Sequence, residues 1–278
     1  MSSAADASPL RGLDRVRHAF ETGRETGRRA IMPFVCGGHP EPALFQDILR
    51  AVDAAGATAI EIGFPFSDPI ADGPVIAAAM DRAISAGATP DSIFNAVSAI
   101  RGEVSAALIA MVSVSIVHRL GGPGRFVERA AAAGFDGFIF PDVPHEEAAE
   151  LVAATGAAGC SMSLLVAPTT PDDRAAAVAR SCRGFVYVLA RSGITGERSE
   201  APDVRARVAT LRAATDEPIA VGFGISTPEH AAAVCEQADA AIVGSALVRR
   251  LDVANDPVDE AATFVASLVG QDSPPLPG

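Results

Sequence analysis

Two carboxylic acids beside the end of a short apolar run could carry proton-transfer chemistry. Glu61 interrupts the apolar run of residues 57–62, and Asp72 lies in the stretch that follows it. That stretch, GFPFSDPIADGP, is dense in glycine and proline, which excludes a helix there. The pattern predicts a strand that ends near Glu61 and leads into a long loop. Carboxyl groups held at such a place can exchange protons or stabilise a developing charge.

The loop is too apolar to be a simple connection. It contains Phe64, Phe66 and Ile70, and it has almost none of the serine, asparagine and lysine that fill flexible surface loops. Long loops that pack and also carry acids are more often part of a functional site. We therefore expect a site around residues 60–77.

Composition excludes several functional classes. The 278 residues, 49% of them hydrophobic, suffice for one large domain or two smaller ones. A net charge of −12 argues against nucleic acid as a partner. All 22 basic residues are arginine, so a Schiff-base lysine, a pyridoxal-phosphate lysine and a P-loop lysine are excluded.

Cysteine spacing and hydropathy indicate a reducing, aqueous environment. The four cysteines form no C-x-x-C pair, which argues against a zinc site or a disulfide framework and favours buried free thiols. No apolar run reaches the ~18 residues of a membrane span, and no signal-peptide core is present. We expect a soluble, cytoplasmic protein with no membrane partner, bound metal or cofactor.

Eight short apolar runs alternate with helical patterns, which predicts a parallel sheet buried on both faces. Eight such units favour a single-domain (β/α)8 TIM barrel over residues 10–270, with residues 1–9 and 271–278 disordered. An extra helix is expected before the first strand, and others after the second and eighth strands. A doubly wound open sheet is the alternative, but no G-x-G-x-x-G follows the first strand. The predicted strands are Ala30–Cys36, Ala57–Ile62, Ala107–Val112, Gly137–Phe140, Met162–Val166, Phe185–Leu189, Ile219–Val221 and Ala240–Val243.

The last two strands end in small residues suited to binding a phosphate. Gly222 and Gly224 follow the seventh strand, and Gly244 and Ser245 follow the eighth. Small residues let backbone N–H groups approach phosphate oxygens, and a helix N-terminus adds a partial positive charge. Loops after these two strands commonly bind phosphate in barrels. The alternative is that glycines merely end the strands.

A third feature follows the sixth strand. Tyr187, the only tyrosine, precedes a glycine-spaced segment, RSGITGE, of residues 191–197. The segment is either an ordinary loop with a solvated arginine or a hinged lid over the mouth of the barrel. Its length and glycines favour the lid.

These motifs together resemble the α subunit of tryptophan synthase. In order, they are FPFSDPIADGP, PDVPHEE, LVAPTTP, RSGITG, GFGIS and VGSA, and the likeness runs from about Arg15 to Val269. The resemblance implies a barrel that cleaves indole-3-glycerol phosphate to indole and glyceraldehyde 3-phosphate, the indole then passing to a β subunit.

The resemblance also implies roles for individual residues. Glu61 and Asp72 would be the catalytic pair. The residues expected to bind substrate are Phe34, Asp142, Tyr187, Arg191, Thr195 and Gly196; those expected to hold its phosphate are Gly222, Gly224, Gly244 and Ser245; those expected to face the β subunit are Pro65 and Asp68.

The chemistry of carboxyl groups agrees with that reaction. Without a Schiff base, a retro-aldol cleavage needs an electron sink in the substrate. Indole provides one if its C3 is protonated and its N1–H is held by an anion. A strand-end acid can protonate C3 and then accept the hydroxyl proton, and a second carboxylate can stabilise charge at the nitrogen.

Some positions depart from the family pattern. M-x-Y-Y-N-P after the third strand is replaced by the segment Met111–Ile116, MVSVSI, and G-D-P after the first strand is replaced by Gly38-His39-Pro40. His39 is predicted to be a neutral loop histidine, with a role at the site as the alternative. Three functions stay open: a synthase α subunit acting with a β subunit, a stand-alone lyase that releases indole, and a catalytically weak modulator of a β subunit.

Overall fold

The architecture is a nearly closed α/β barrel, as predicted. The structure, a computed structural model, describes residues 10–69, 72–190, 203–222 and 224–270. Every pairing between neighbouring strands in these residues is parallel. None of the helices in these residues is both long and apolar enough to cross a membrane. The disorder predicted for residues 1–9 and 271–278 lies outside the described residues.

The two terminal strands of the sheet are consecutive in the sequence, so the sheet curls into a nearly closed barrel. Its order is β5-β4-β3-β2-β1-β9-β8-β7-β6, and Leu164 alone separates the terminal strands β5 and β6. The strands are β1 (Ile31–Cys36), β2 (Ala59–Gly63), β3 (Ala107–Met111), β4 (Gly137–Ile139), β5 (Ser161–Ser163), β6 (Leu165–Val166), β7 (Val186–Leu189), β8 (Ile219–Gly222) and β9 (Ala240–Val243).

The prediction of one fifth strand over Met162–Val166 was wrong, since two strands occupy that region. At the break, the Leu164 amide donates to the Cys182 thiol at 3.3 Å. Beside it, the Ser163 hydroxyl donates to the Phe185 carbonyl oxygen at 2.8 Å. Side chains thus take up backbone groups that a continuous ladder would have paired. The eight predicted strands are therefore present, and the fifth is divided into β5 and β6.

Helices surround the barrel, and the predicted additional ones are present. One precedes β1, two lie between β2 and β3, and two follow β9. The described helices are α1 (Gly12–Thr26), α2 (Phe45–Ala54), α3 (Pro74–Ser85), α4 (Pro90–Ile100), α5 (Val114–Arg119), α6 (Pro123–Ala133), α7 (Ala149–Ala157), α8 (Asp172–Ser181), α9 (Arg205–Arg212), α10 (Pro228–Cys235), α11 (Ser245–Val253) and α12 (Pro257–Val269), with a 3-10 turn at His145–Glu147.

Helix α5 was not predicted. It has only six residues, too few to show a helical period. Its start is fixed by Ser113, whose hydroxyl accepts a hydrogen bond from the Ser115 amide at 3.2 Å. The helix therefore begins within the segment where the sequence departs from the family pattern.

Residues of each strand alternate between the barrel interior and the layer under the helices. In β2, Ile60 and Ile62 pack in the outer apolar layer, whereas Ala59 belongs to the interior cluster. Helix α1 covers one end of that interior with Val16 and Phe20. By this alternation Glu61 points into the barrel.

Candidate active site

Glu61 is a buried acid in the middle of an apolar strand. In the sheet it lies between Phe34 of β1 and Ile109 of β3, and it is 0% exposed. Neither carboxyl oxygen has a hydrogen-bond partner among the described residues. An unsatisfied buried polar group costs ~1–3 kcal/mol of stability, so its presence indicates function. Burial raises the pKa of Glu61 well above its usual value, which favours the neutral, proton-donating form of the acid.

Asp72 has a different environment. It is partly buried where the loop turns into α3, and its amide donates to the Pro69 carbonyl oxygen at 3.0 Å. Burial, and then the negative charge of Asp142, raises the pKa of Asp72 to about 6. At neutral pH the group is therefore mostly a carboxylate, whereas burial favours the protonated form of Glu61. Two acids whose environments favour different protonation states suit a reaction with one proton donor and one anionic stabiliser.

Tyr187 completes the interior wall beside these acids. Its side chain is buried in the barrel. Burial, followed by the carboxyl groups of Glu61 and Asp72, raises the pKa of its hydroxyl well above the ordinary value. A methyl group added at Gly222 would lie 2.6 Å from the Tyr187 hydroxyl oxygen. Glycine at position 222 thus makes room for the tyrosine.

Phe34 occupies a similar space between two glycines. A methyl group at Gly63 would overlap the Phe34 ring, and one at Gly244 would lie 3.6 Å from the Phe34 Cβ. Phe34 also pairs with Glu61 in the sheet. Its ring therefore lies between β2, the strand that carries Glu61, and the end of β9. The structure brings this predicted substrate-binding residue to Glu61 and to Gly244.

The four predicted phosphate-binding residues lie at the ends of two adjacent strands. Gly222 is the last residue of β8, and Gly224 follows with φ +80°, a backbone conformation that favours glycine. Gly244 caps α11, and Ser245 is its first residue. The first amides of a helix have no partner within the helix, so those of α11 are available to an anion.

Asp142 lies on the exposed rim after β4, and its carboxylate is already occupied by protein donors. It accepts hydrogen bonds from the Ser113 hydroxyl at 2.6 Å and from the Val114 amide at 3.0 Å. Sequence reasoning missed Ser113 because a single serine after a strand carries no distinctive signal. The segment after β3, which departs from the family pattern, thus holds the Asp142 carboxylate in place.

The remaining predicted site residues fall in two groups. Pro65 is partly buried and Asp68 is exposed, both on the loop that joins Glu61 to Asp72. Such a position is accessible to another chain. The residues predicted to form the lid, Arg191, Thr195 and Gly196, lie outside the described residues.

Comparisons with known proteins agree with this geometry. The profile of the family described as Tryptophan synthase alpha chain matches residues 20–271. The tryptophan synthase alpha chain of Synechococcus sp. is 42% identical over 253 residues, 90% of this chain and 94% of the relative.

Solved structures show the same likeness. Tryptophan synthase of Mycobacterium tuberculosis superposes with a TM-score of 0.84 at 32% identity, covering 94% of this chain and 98% of that one. Tryptophan synthase subunit alpha of Legionella pneumophila superposes with a TM-score of 0.82 at 30% identity, covering 91% and 96%. With a family match over nearly its whole length and relatives this similar, the chain belongs to the tryptophan synthase α-chain family.

Proposed function

We propose that Glu61 and Asp72 catalyse the retro-aldol cleavage of indole-3-glycerol phosphate to indole and glyceraldehyde 3-phosphate. As a member of its family, the chain is a lyase of tryptophan biosynthesis. The observation that carries the assignment of residues is the environment of Glu61. The acid is buried, points into the barrel and has no hydrogen-bond partner among the described residues, and its burial favours the protonated form.

The reaction balances with these two acids alone. Glu61 donates its proton to C3 of the indole, which makes the ring an iminium-type electron sink. Asp72, as a carboxylate, accepts the N1–H hydrogen bond and stabilises the positive charge on the ring. Glu61, now a carboxylate, takes the proton from the hydroxyl group on the carbon attached to C3. The electron pair left on the oxygen by the lost proton forms the C=O bond of the aldehyde. The bond from C3 to that carbon breaks, and its electrons restore the aromatic indole.

Backbone groups, rather than cations, would bind the other end of the substrate. The first amides of α11, with Gly222, Gly224, Gly244 and Ser245, lie at the ends of the strands that neighbour Tyr187 and Phe34. This arrangement lets a phosphate anchor the substrate while the indole ring reaches the acids. We propose that Phe34, Asp142 and Tyr187 shape the indole end and that Arg191, Thr195 and Gly196 belong to a closing segment.

We propose that the chain acts with a β subunit, which it contacts through the loop that carries Pro65 and Asp68. The exposure of Asp68 supports this proposal. A stand-alone lyase that releases indole is the second candidate, and the segment Met111–Ile116 supports it. That segment forms the start of α5 where the family pattern has two tyrosines and an asparagine. A cytoplasmic location is also proposed, because all four cysteines are free.

One experiment tests both the activity and the partner. Indole release from indole-3-glycerol phosphate is measured with the purified chain, alone and with a tryptophan synthase β subunit. Strong activation by the β subunit supports the synthase α subunit, and high turnover of the isolated chain supports the stand-alone lyase. Absence of turnover under both conditions, with enhancement of the β reaction, would overturn the proposal in favour of a modulator.

A further inference from the structure

His39, at the position where the family pattern has aspartate, is buried beside the mouth of the barrel. It follows β1, and its amide donates to the Cys36 carbonyl oxygen at 3.1 Å. Its side chain is 1% exposed, and its Nε2 lies 3.0 Å from Oδ1 of Asp252 on α11. A buried polar side chain aimed at a carboxylate is more than an ordinary loop histidine.

The same carboxylate also binds Arg82 of α3. Nη2 of Arg82 lies 2.6 Å from one Asp252 oxygen and 2.7 Å from the other. Asp252 therefore joins three elements: the loop after β1, helix α3 and helix α11. We call His39, Arg82 and Asp252 the Asp252 bridge. Burial lowers the pKa of His39, which favours a neutral ring beside the Asp252 carboxylate.

Both helices of the bridge begin at the proposed active site. Helix α3 starts at Pro74, directly after Asp72 and Gly73, and α11 starts at Ser245. Arg82 and Asp252 lie near the opposite ends of these helices. At 1.5 Å per residue, each lies ~10–12 Å along its helix from the site.

In this geometry, a small tilt of a helix at the bridge becomes a larger displacement at the active site. If a helix tilted by ~5° about its contact with the bridge, the end of a 12 Å segment at the active site would move by ~1 Å. Misplacement of a reacting group by that distance can lower a rate by ~100-fold. Apolar side chains including Ala83 and Val248 pack between the elements, but apolar packing is not directional. The bridge adds short polar contacts at one point, 3.0 Å from His39 Nε2 to Asp252 and 2.6 Å from Arg82 Nη2 to Asp252.

We propose that His39 is a positioning residue that, through Asp252 and Arg82, sets the span between Asp72 and the phosphate site at Gly244 and Ser245. The inference rests on the proposed function, in which one substrate must reach both ends of this span. A correct span matters for indole-3-glycerol phosphate and not for a ligand that occupies one end only.

The test compares two substitutions at one position with a matched control. His39→Leu removes the contact with Asp252, and His39→Gln keeps an amide donor of similar reach. The control, Glu260→Gln, breaks the 2.7 Å Arg250–Glu260 pair, which also attaches to α11 but joins it to α12 instead of α3. For each protein we would measure kcat and KM for indole-3-glycerol phosphate, the Kd of glycerol 3-phosphate, and the crystal structure.

The inference predicts a loss of turnover without loss of phosphate binding. In His39→Leu, kcat/KM should fall by about 10- to 100-fold while the Kd of glycerol 3-phosphate changes by less than about threefold. His39→Gln should recover to within about threefold of the wild type, and Glu260→Gln should behave as the wild type. In the crystal, the N-terminal end of α3 should move by ~1 Å relative to that of α11 in His39→Leu alone.

Three results would overturn the inference: unchanged kcat/KM in His39→Leu, an equal loss in the control, or superposable α3 and α11. A wild type that releases no indole would refute the proposed function instead. The crystal structures would then still decide whether the bridge orients the two helices.

Discussion

Replacing Asp72 with asparagine should abolish indole release and, at neutral pH, make the fold more stable. The carboxylate is partly buried and is repelled by Asp142, so its folded-state pKa is about 6 against 3.8 for the free group. The unfolded chain therefore binds protons less tightly than the folded chain. A charge that is better accommodated in the unfolded state destabilises the fold whenever it is present.

The magnitude follows from that pKa difference. About two pKa units at ~1.4 kcal/mol per unit give a penalty of up to ~3 kcal/mol, fully present above pH 6. The penalty decreases as the pH falls through 6, is about half as large near pH 5, and vanishes below the unfolded-state pKa. Asparagine is neutral and therefore does not carry this penalty. Asp72→Asn should therefore exceed the wild type in stability by up to ~3 kcal/mol at pH 8 and by roughly 1.5 kcal/mol at pH 5.

Urea unfolding at pH 8 and pH 5 measures the two differences, and indole release measures the activity. Asp81→Asn, at an exposed position of α3, is the matched control and should change stability by less than ~0.5 kcal/mol at either pH. The reasoning is refuted if Asp72→Asn is less stable than the wild type at pH 8, or if its advantage is the same at both pH values. Near wild-type indole release would refute the catalytic assignment.

Two further predictions use other features of the site. The kcat/KM of the wild type should fall about tenfold from pH 7 to pH 5, because Asp72, with a pKa of about 6, loses its charge as the pH falls. A flat pH profile of kcat/KM over this range would contradict the role of the Asp72 carboxylate. Gly222→Ala would place a methyl group 2.6 Å from the Tyr187 hydroxyl oxygen, so steady-state kcat/KM should fall at least ~10-fold. Gly102→Ala, with no atom within 4 Å of the added methyl, is its control and should match the wild type; equal effects at both positions would contradict the steric argument.

The barrel and its acids could be predicted from sequence because their signals are local. An acid inside an apolar strand, as at Glu61, is rarely structural, and the following glycines and prolines mark where the strand ends. The alternation of apolar runs with helical patterns then placed Gly222 and Gly244 at the same end of the barrel as Glu61. Each of these inferences needed only residues that are neighbours in the chain.

Features that depend on contacts distant in sequence could not be predicted. The division of β5 from β6 depends on the Cys182 thiol, which accepts a hydrogen bond from the amide of Leu164, eighteen residues earlier in the chain. The state of His39 depends on Asp252, near the other end of the chain. Neither partner has a local pattern that marks it. The raised pKa values of Glu61 and Asp72 likewise depend on burial, which only the folded chain sets.

Indole release by Glu61→Gln tests the central claim most directly. Glutamine keeps the shape of the buried side chain but can neither give a proton to C3 nor take one from the hydroxyl group. With the fold intact by circular dichroism, turnover of indole-3-glycerol phosphate should fall by ~10²–10⁴-fold relative to the wild type. Turnover within a few-fold of the wild type would show that Glu61 does not move the protons, and would contradict the account.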